Sequence, residues 1–183
     1  MNIWQVIPSE ADIRLGTLVG PLFEAPCVLG KNGVIAASGG REGDGKSPAG
    51  TYPFRRVYYR PDREEEPVTC LPCTAISTDM GWCDASEDGR YNTLVSLPYG
   101  GGHEKMWRHD SLYDLVIVIG HNDEPVVPGL GSAIFIHVAR DDFGPTAGCV
   151  ALKAPALRQL LRLAKPDDQI KVELLSCNRV HQK

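Results

Sequence analysis

Long apolar runs are missing from this chain of 183 residues. No stretch approaches the roughly 18 consecutive apolar residues of a membrane-crossing helix, so no membrane span is expected. Charge of one sign is equally scarce. The net charge of −4 is spread without long runs, which argues against a general polyanion binder and makes nucleic acid an unexpected partner. Sustained 3.6-residue periodicity is rare, whereas Gly (19) and Pro (14) together exceed one residue in six. The chain therefore reads as mainly β, many short strands joined by turns, with a few short helices. Its opening, MNIWQVIPSEADIR, lacks a basic start followed by an apolar core and does not read as a signal peptide. What is present, 43% hydrophobic and 23% charged residues, suits a single domain over residues 1–183 with a substantial core.

Metal and phosphate chemistry find little support. Six cysteines are an even number, yet a domain of this size needs no disulfides. Cys70 and Cys73 form the only CxxC, with no second pair to complete a zinc site, and they read as structural. His103, His109 and His121 are separated by six and twelve residues, so no two share a helical face at i, i+4. Residues 39–50 hold five glycines with Arg41, Asp44 and Lys46. A phosphate loop requires GxxxxGK[ST] leading into a helix, and here Pro48 and a strand-like TYPF follow. No metal and no cofactor are expected.

Periodicity places an edge strand over residues 2–8, a strand pair over 13–23 broken at Gly16, Gly20 and Pro21, and a hairpin over 26–38 turning at residues 30–33. A strand follows over 51–59, then an exposed excursion over 60–67 and a return to apolar alternation over 69–78. Residues 82–92 read as a loop anchored by Trp82, Tyr91 and Asn92, the last two as structure before substrate contact. A short helix is expected over 100–110 and a buried strand over 115–120, the latter pairing with 133–138 and carrying His121 toward the rim of His137. The clearest helix is 154–164, with Leu157, Leu160, Leu161 and Ala164 on one face and Lys165-Pro166 ending it. A last strand over 169–175 turns Ile170, Val172 and Leu174 inward, and a loose tail follows over 177–183.

Chemistry concentrates in residues 134–152, IFIHVARDDFGPTAGCVAL. A strand delivers His137, a turn built on Asp141, Asp142, Gly144 and Pro145 reverses the chain, and Cys149 returns between Gly148 and Val150. A free thiol is only a few per cent thiolate at neutral pH, so an attacking cysteine benefits from an imidazole that takes its proton. Gly148 lets a carbonyl approach the backbone N–H groups of Gly148 and Cys149, a candidate oxyanion hole. On spacing alone the bland alternative stays open, with Cys149 a small buried hydrophobe and His137 a core histidine.

This stretch resembles the signature of the L,D-transpeptidases of the YkuD family (ErfK/YbiS/YcfS/YnhG), in which a histidine at a strand end precedes Ser/Thr-x-Gly-Cys. The matching positions are His137, Thr146, Ala147, Gly148 and Cys149. A second stretch, REGDGKSPAGTYPF over residues 41–54, resembles the family's Gly-Asp-Gly-x-[ST]-Pro-x-Gly-x-[FY] hairpin. The resemblance extends over most of the chain, including residues 82–92 and 113–122, and it departs at two positions. Many members have His before the Gly-Cys pair and Asn or Arg two residues after it, where this chain has Ala147 and Ala151, and the loop from His137 to Cys149 is shorter than the common form.

The resemblance implies a sandwich-like β fold and acyl transfer through a thioester. Cys149 would attack an L-centre carbonyl of a peptidoglycan stem peptide, with His137 as base and then acid, oriented by the Val138 carbonyl. The diaminopimelate amine of a second stem would release the acyl group as a cross-link that shapes the cell wall. His121, Arg140, Thr146, Lys46 and Asn122 are the candidate substrate contacts. The expected setting is the bacterial periplasm or cell envelope, reached by an export route that the sequence leaves open, with the protein acting as a monomer. Hydrolysis by the same pair, as an L,D-carboxypeptidase or endopeptidase, is the alternative within enzymes. A non-catalytic peptidoglycan-binding module is the alternative outside them.

Overall fold

The computed structural model describes residues 1–175. The strands, in chain order, are β1 (Ile3–Pro8), β2 (Leu15–Gly20), β3 (Phe23–Val28), β4 (Val34–Ala36), β5 (Ser47–Tyr59), β6 (Cys73–Ala75) and β7 (Met80–Cys83). They continue as β8 (Leu94–Ser96), β9 (His103–Lys105), β10 (Leu115–Ile119), β11 (Phe135–Val138) and β12 (Val150–Leu152). Then come helix α1 (Ala154–Leu163) and β13 (Gln169–Val172). The mainly β expectation holds. No described helix is long and apolar enough to cross a membrane.

The large sheet closes on itself. Hydrogen-bonded neighbours run β10, β11, β12, β3, β2, β1, β13, β5, and β5 pairs back to β10. Length makes this possible: β5 has 13 residues, of which residues 50–53 pair with β13 and residues 54–59 with β10. A closed circuit leaves few free strand edges to recruit another chain. Inside it lies one core, built from alternate residues such as Trp4, Val6, Leu18, Ile117, Ile136 and Leu152, with Leu157, Leu160 and Leu161 of α1 driven into it. Helix α1 has Pro155 in its first turn, where a missing N–H costs nothing, and ends where Pro166 disfavours further helix.

A three-stranded sheet, ordered β8, β7, β9, covers the other face of β10 and β11. Between them lies a second core of Tyr58, Trp82, Met106, Val116, Val118 and Phe135, with Trp82 edge-on to Phe135 at 5.0 Å. With both faces covered, β10 reads LVIVI without polar alternation, and all five of its residues are buried.

Several local expectations are corrected. Residues 3–8 form a strand, but β1 lies between β2 and β13 rather than at an edge. Gly16 sits inside β2 without breaking it, and the turn falls at residues 21–22. No hairpin joins β3 to β4, because β4 pairs in parallel with β5 while β3 pairs with β2 and β12. The 41–54 stretch is accordingly a loop running into β5, not a hairpin. Arg60 of the charged excursion is buried, and Trp82 and Cys83 belong to β7. The helix expected over 100–110 is replaced by β9, since pairing with β7 satisfies the backbone that helical spacing left undecided. Leu174 lies beyond β13 and is exposed. The tail over 177–183 lies outside the described residues.

Candidate active site

Strand alternation decides where His137 points. Ile136 and Val138 face the closed core, so His137 and Phe135 face the small sheet. β12 runs parallel to β11 with His137 level with Ala151 and Ile136 level with Val150, which sets Cys149 level with Phe135 on that face. A strand spacing of ~4.8 Å and a rise of ~3.3 Å per residue place the His137 and Cys149 backbones roughly 8 Å apart, a gap two side chains span. Both line one cavity of about 470 Å³ between the closed sheet and the small one, and Gly148, Thr146 and Arg140 line it too.

Each reacting side chain is held in place. The imidazole Nδ1 lies 2.8 Å from the Val138 carbonyl oxygen. A carbonyl only accepts, so Nδ1 carries the proton and Nε2 keeps its lone pair. The Tyr113 ring packs edge-on against the imidazole at 5.5 Å. The Cys149 thiol donates to the Ala133 carbonyl at 3.2 Å and accepts from the Phe135 N–H at 3.3 Å. Burial dominates both titrations. It pulls His137 down to about 4 and pushes Cys149 up to about 12. At rest the pair is a neutral imidazole beside a neutral thiol.

The nucleophile turn is seated on the turn between β3 and β4 and on the start of β5. Thr146 and Leu29 pair through Thr146 N–H to Leu29 O at 3.0 Å, and the Lys31 N–H donates to Thr146 O at 2.9 Å. The Ser47 hydroxyl, fully buried, accepts from the Gly30 N–H at 2.9 Å and lies 3.5 Å from the Cys149 carbonyl. Gly148 has φ +150, and a Cβ there would stand 2.8 Å from the Lys46 carbonyl oxygen. Its missing side chain thus makes room for Lys46 backbone as well as for a ligand. The Thr146 hydroxyl accepts the Gly148 N–H at 3.1 Å and donates to the Cys149 carbonyl at 2.7 Å. In this state the Gly148 N–H is engaged by the Thr146 hydroxyl.

Three expected contacts fall elsewhere. The antiparallel register of β10 on β11 sets Val116 beside His137, so His121 lies at the opposite end of the pair. Its Nε2 is 3.3 Å from the Leu130 carbonyl, and its ring meets Tyr52 edge-on. Lys46 and His121 line a small adjoining recess of about 40 Å³, which shares Glu42, Ser132 and Ala147 with the cavity wall. Asn122, at φ 49, uses its side chain on the following loop, accepting the Val127 N–H and donating to the Val127 and Gly131 carbonyls. Tyr91 and Asn92 are structural: Asn92 receives Trp82 Nε1 and Ala133 N and donates to the His121 and Asn122 carbonyls.

Other cavity residues were not singled out from sequence. Glu104, Arg108, Tyr113, Glu42 and Asp84 share the wall. Arg108 is fixed by forked bonds to Asp110 at 2.8 and 2.7 Å and reaches Glu104 at 3.1 Å, while burial raises the Glu104 carboxyl. Glu42 accepts from the Tyr91 and Ser132 hydroxyls. Glu104 lies in β9 and Arg108 three residues beyond it, and both line the cavity. Ser47 sat in a quoted motif, but its role depends on a neighbour 102 residues away. Among the described residues no cluster of three His, Cys, Asp or Glu could hold a metal ion.

Residues 14–172 match the family model described as the L,D-transpeptidase catalytic domain (YkuD). No curated protein sequence matches the chain. Among solved structures, L,D-transpeptidase 1 of Mycobacterium tuberculosis is similar with 12% identity and a TM-score of 0.40, over 93% of this chain and 62% of that one. The chain thus spans under two thirds of that relative's length.

Proposed function

The chain belongs to the family of L,D-transpeptidase catalytic domains, and from that premise we propose that it is a cysteine-dependent acyltransferase that cross-links peptidoglycan stem peptides in the cell envelope. The observation that carries the reading is the His137 Nδ1–H bond to the Val138 carbonyl, which leaves the Nε2 lone pair in the cavity that also holds the Cys149 thiol.

Because the thiol is neutral at rest, attack and proton transfer occur together. As the Cys149 sulfur bonds to the stem-peptide carbonyl carbon, its proton passes to His137 Nε2, and the carbonyl π electrons move onto oxygen. The Cys149 N–H is the candidate backbone donor for that oxyanion; the Gly148 N–H joins it on release from the Thr146 hydroxyl. Collapse breaks the C–N bond, and the imidazolium returns its proton to the departing amine. The acceptor amine attacks the thioester, loses a proton to His137 and expels the Cys149 sulfur, which regains that proton. Arg108 and Arg140 face the cavity as partners for substrate carboxylates, and Glu42 and Asp84 as partners for an ammonium. Ala147 and Ala151 keep the donor side of the cavity small-residued and open.

Intact-mass analysis of wild-type and Cys149→Ala protein with purified muropeptides, followed by chromatography of the products, tests this. A Cys149-dependent adduct and a new dimer are expected, the mass lost identifying the donor bond. Shortened monomers without dimers would make the protein a hydrolase. No adduct and no product would leave a binding module.

A further inference from the structure

A second concavity, about 820 Å³, opens on the small sheet beside the catalytic cavity. Arg108 belongs to the walls of both, so the two spaces adjoin at one side chain. Its principal aromatic residues are Trp107 and Tyr99, and each is braced by neighbouring side chains. The Arg60 guanidinium sits 3.9 Å from the Trp107 ring centroid and covers one indole face. Arg60 is itself 2% exposed, forked onto Asp62 at 2.9 and 2.8 Å and bonded to the Arg108 carbonyl. The Tyr99 hydroxyl donates to Asp88 at 2.8 Å, and its ring meets the His103 ring edge-on at 6.2 Å. Gly101 makes room for this seat, since a Cβ there would lie 2.8 Å from the Tyr99 ring. Side chains fixed this way lose little further freedom when a ligand stacks on them.

Asp79, Lys105 and His109 line the same groove and supply acceptors and donors. The combination matches a sugar ring. Its axial C–H bonds form an apolar face that meets the negative face of an aromatic ring, and its hydroxyl and acetamido groups need hydrogen-bond partners around the rim.

We propose that this groove is a carbohydrate subsite, with Trp107 and Tyr99 as stacking platforms, that holds the N-acetylated glycan strand from which the reacting stem peptide hangs. The inference rests on stem peptides being the substrate of the adjoining cavity. A stem peptide bound at Cys149 carries its glycan attachment out of the catalytic cavity, and the groove adjoins that cavity at Arg108.

Binding is read without turnover by titrating Cys149→Ala protein with a β-1,4-linked N-acetylglucosamine tetramer that carries no peptide, following the tryptophan indole N–H signals by NMR. The Trp107 indole is expected to shift saturably while that of Trp4, fully buried in the closed core, stays in place. Adding Trp107→Ala or Tyr99→Ala is expected to weaken the tetramer about tenfold or more. Tyr99→Ala guards against a fold defect, because its half-exposed ring lies outside the core, and a thermal melt of each variant verifies folding. An unmoved Trp107 indole, or equal affinity in all proteins, overturns the subsite. A shift produced by sugar-free stem tetrapeptide, and not by the tetramer, also overturns it and assigns the groove to peptide. Tetramer binding in a protein whose wild type forms no thioester would sink acyl transfer alone, so the two proposals fail separately.

Discussion

Burial, rather than a neighbouring charge, sets the protonation of both reacting groups, with His137 pulled down to about 4 and Cys149 pushed up to about 12. A preformed thiolate would make Cys149 the most reactive cysteine toward a small alkylating agent. The neutral pair predicts the reverse: iodoacetamide at pH 7.5, followed by peptide mass mapping, modifies the exposed Cys70 well before Cys149. Stem peptides, which supply a carbonyl in place and a route for the proton, escape that limit. Gly148 carries a second prediction. Its positive φ and the Lys46 carbonyl 2.8 Å from a would-be Cβ make Gly148→Ala cost about 2 kcal/mol or more in urea unfolding, with loss of acylation. Sequence identified this glycine, but not the backbone that crowds it.

At the scale of elements, two segments far apart in the chain build one nucleophile seat. The crossover from β11 to parallel β12 returns Cys149 beside Phe135, and residues 29–47 hold the turn: the Lys31 N–H donates to Thr146, the Lys46 backbone crowds Gly148, and the Gly30 N–H fixes Ser47 near the Cys149 carbonyl. Ser47→Ala strands the buried Gly30 N–H, so a loss of about 1–3 kcal/mol in stability is expected. Steady-state kinetics should show kcat falling more than KM rises, because Ser47 reaches the Cys149 carbonyl and not the cavity. In α1, Leu160 is fully buried in the closed core, and Leu160→Ala is expected to cost about 2–5 kcal/mol by chemical denaturation. The helix was legible because its apolar stripe keeps one period for three turns. β9 was not, since three residues carry no period.

For the whole molecule, stability is bounded by pH on both sides. Unfolded His137 takes up a proton near 6.5 whereas the folded residue resists it down to about 4, so stability falls across that window as pH drops. The His137 contribution alone is about 3 kcal/mol. Asp168 adds to the acid loss. Burial pushes its carboxyl up, but bonds from the Asn2 N–H and side chain, Trp4 Nε1 and the Lys165 N–H outweigh this and hold it below its ordinary value. Its stabilisation is present above the ordinary carboxylate range and is lost as pH falls through the lowered value. On the alkaline side, Cys149 and Cys27 titrate near 9 when unfolded and about 12 when folded, so stability declines between those values. Thermal melts from pH 4 to 11 should peak between about 6.5 and 9. A Cys149→Ala protein should show a shallower alkaline decline.

Local chemistry along the chain determined much of this protein. Scarce helical period and frequent Gly and Pro gave short strands, the Leu157, Leu160 and Leu161 stripe gave the helix, and His137 with Thr-Ala-Gly-Cys149 gave the candidate reacting pair. Those features depend on neighbours within a few residues, which a linear reading contains. Tertiary structure alone decided the rest, because strand register and pairing join positions a hundred residues apart. The closure of β5 onto β10, the antiparallel register that carries His121 away from His137, the engagement of the Gly148 N–H and the burial that keeps thiol and imidazole neutral all follow from such pairings.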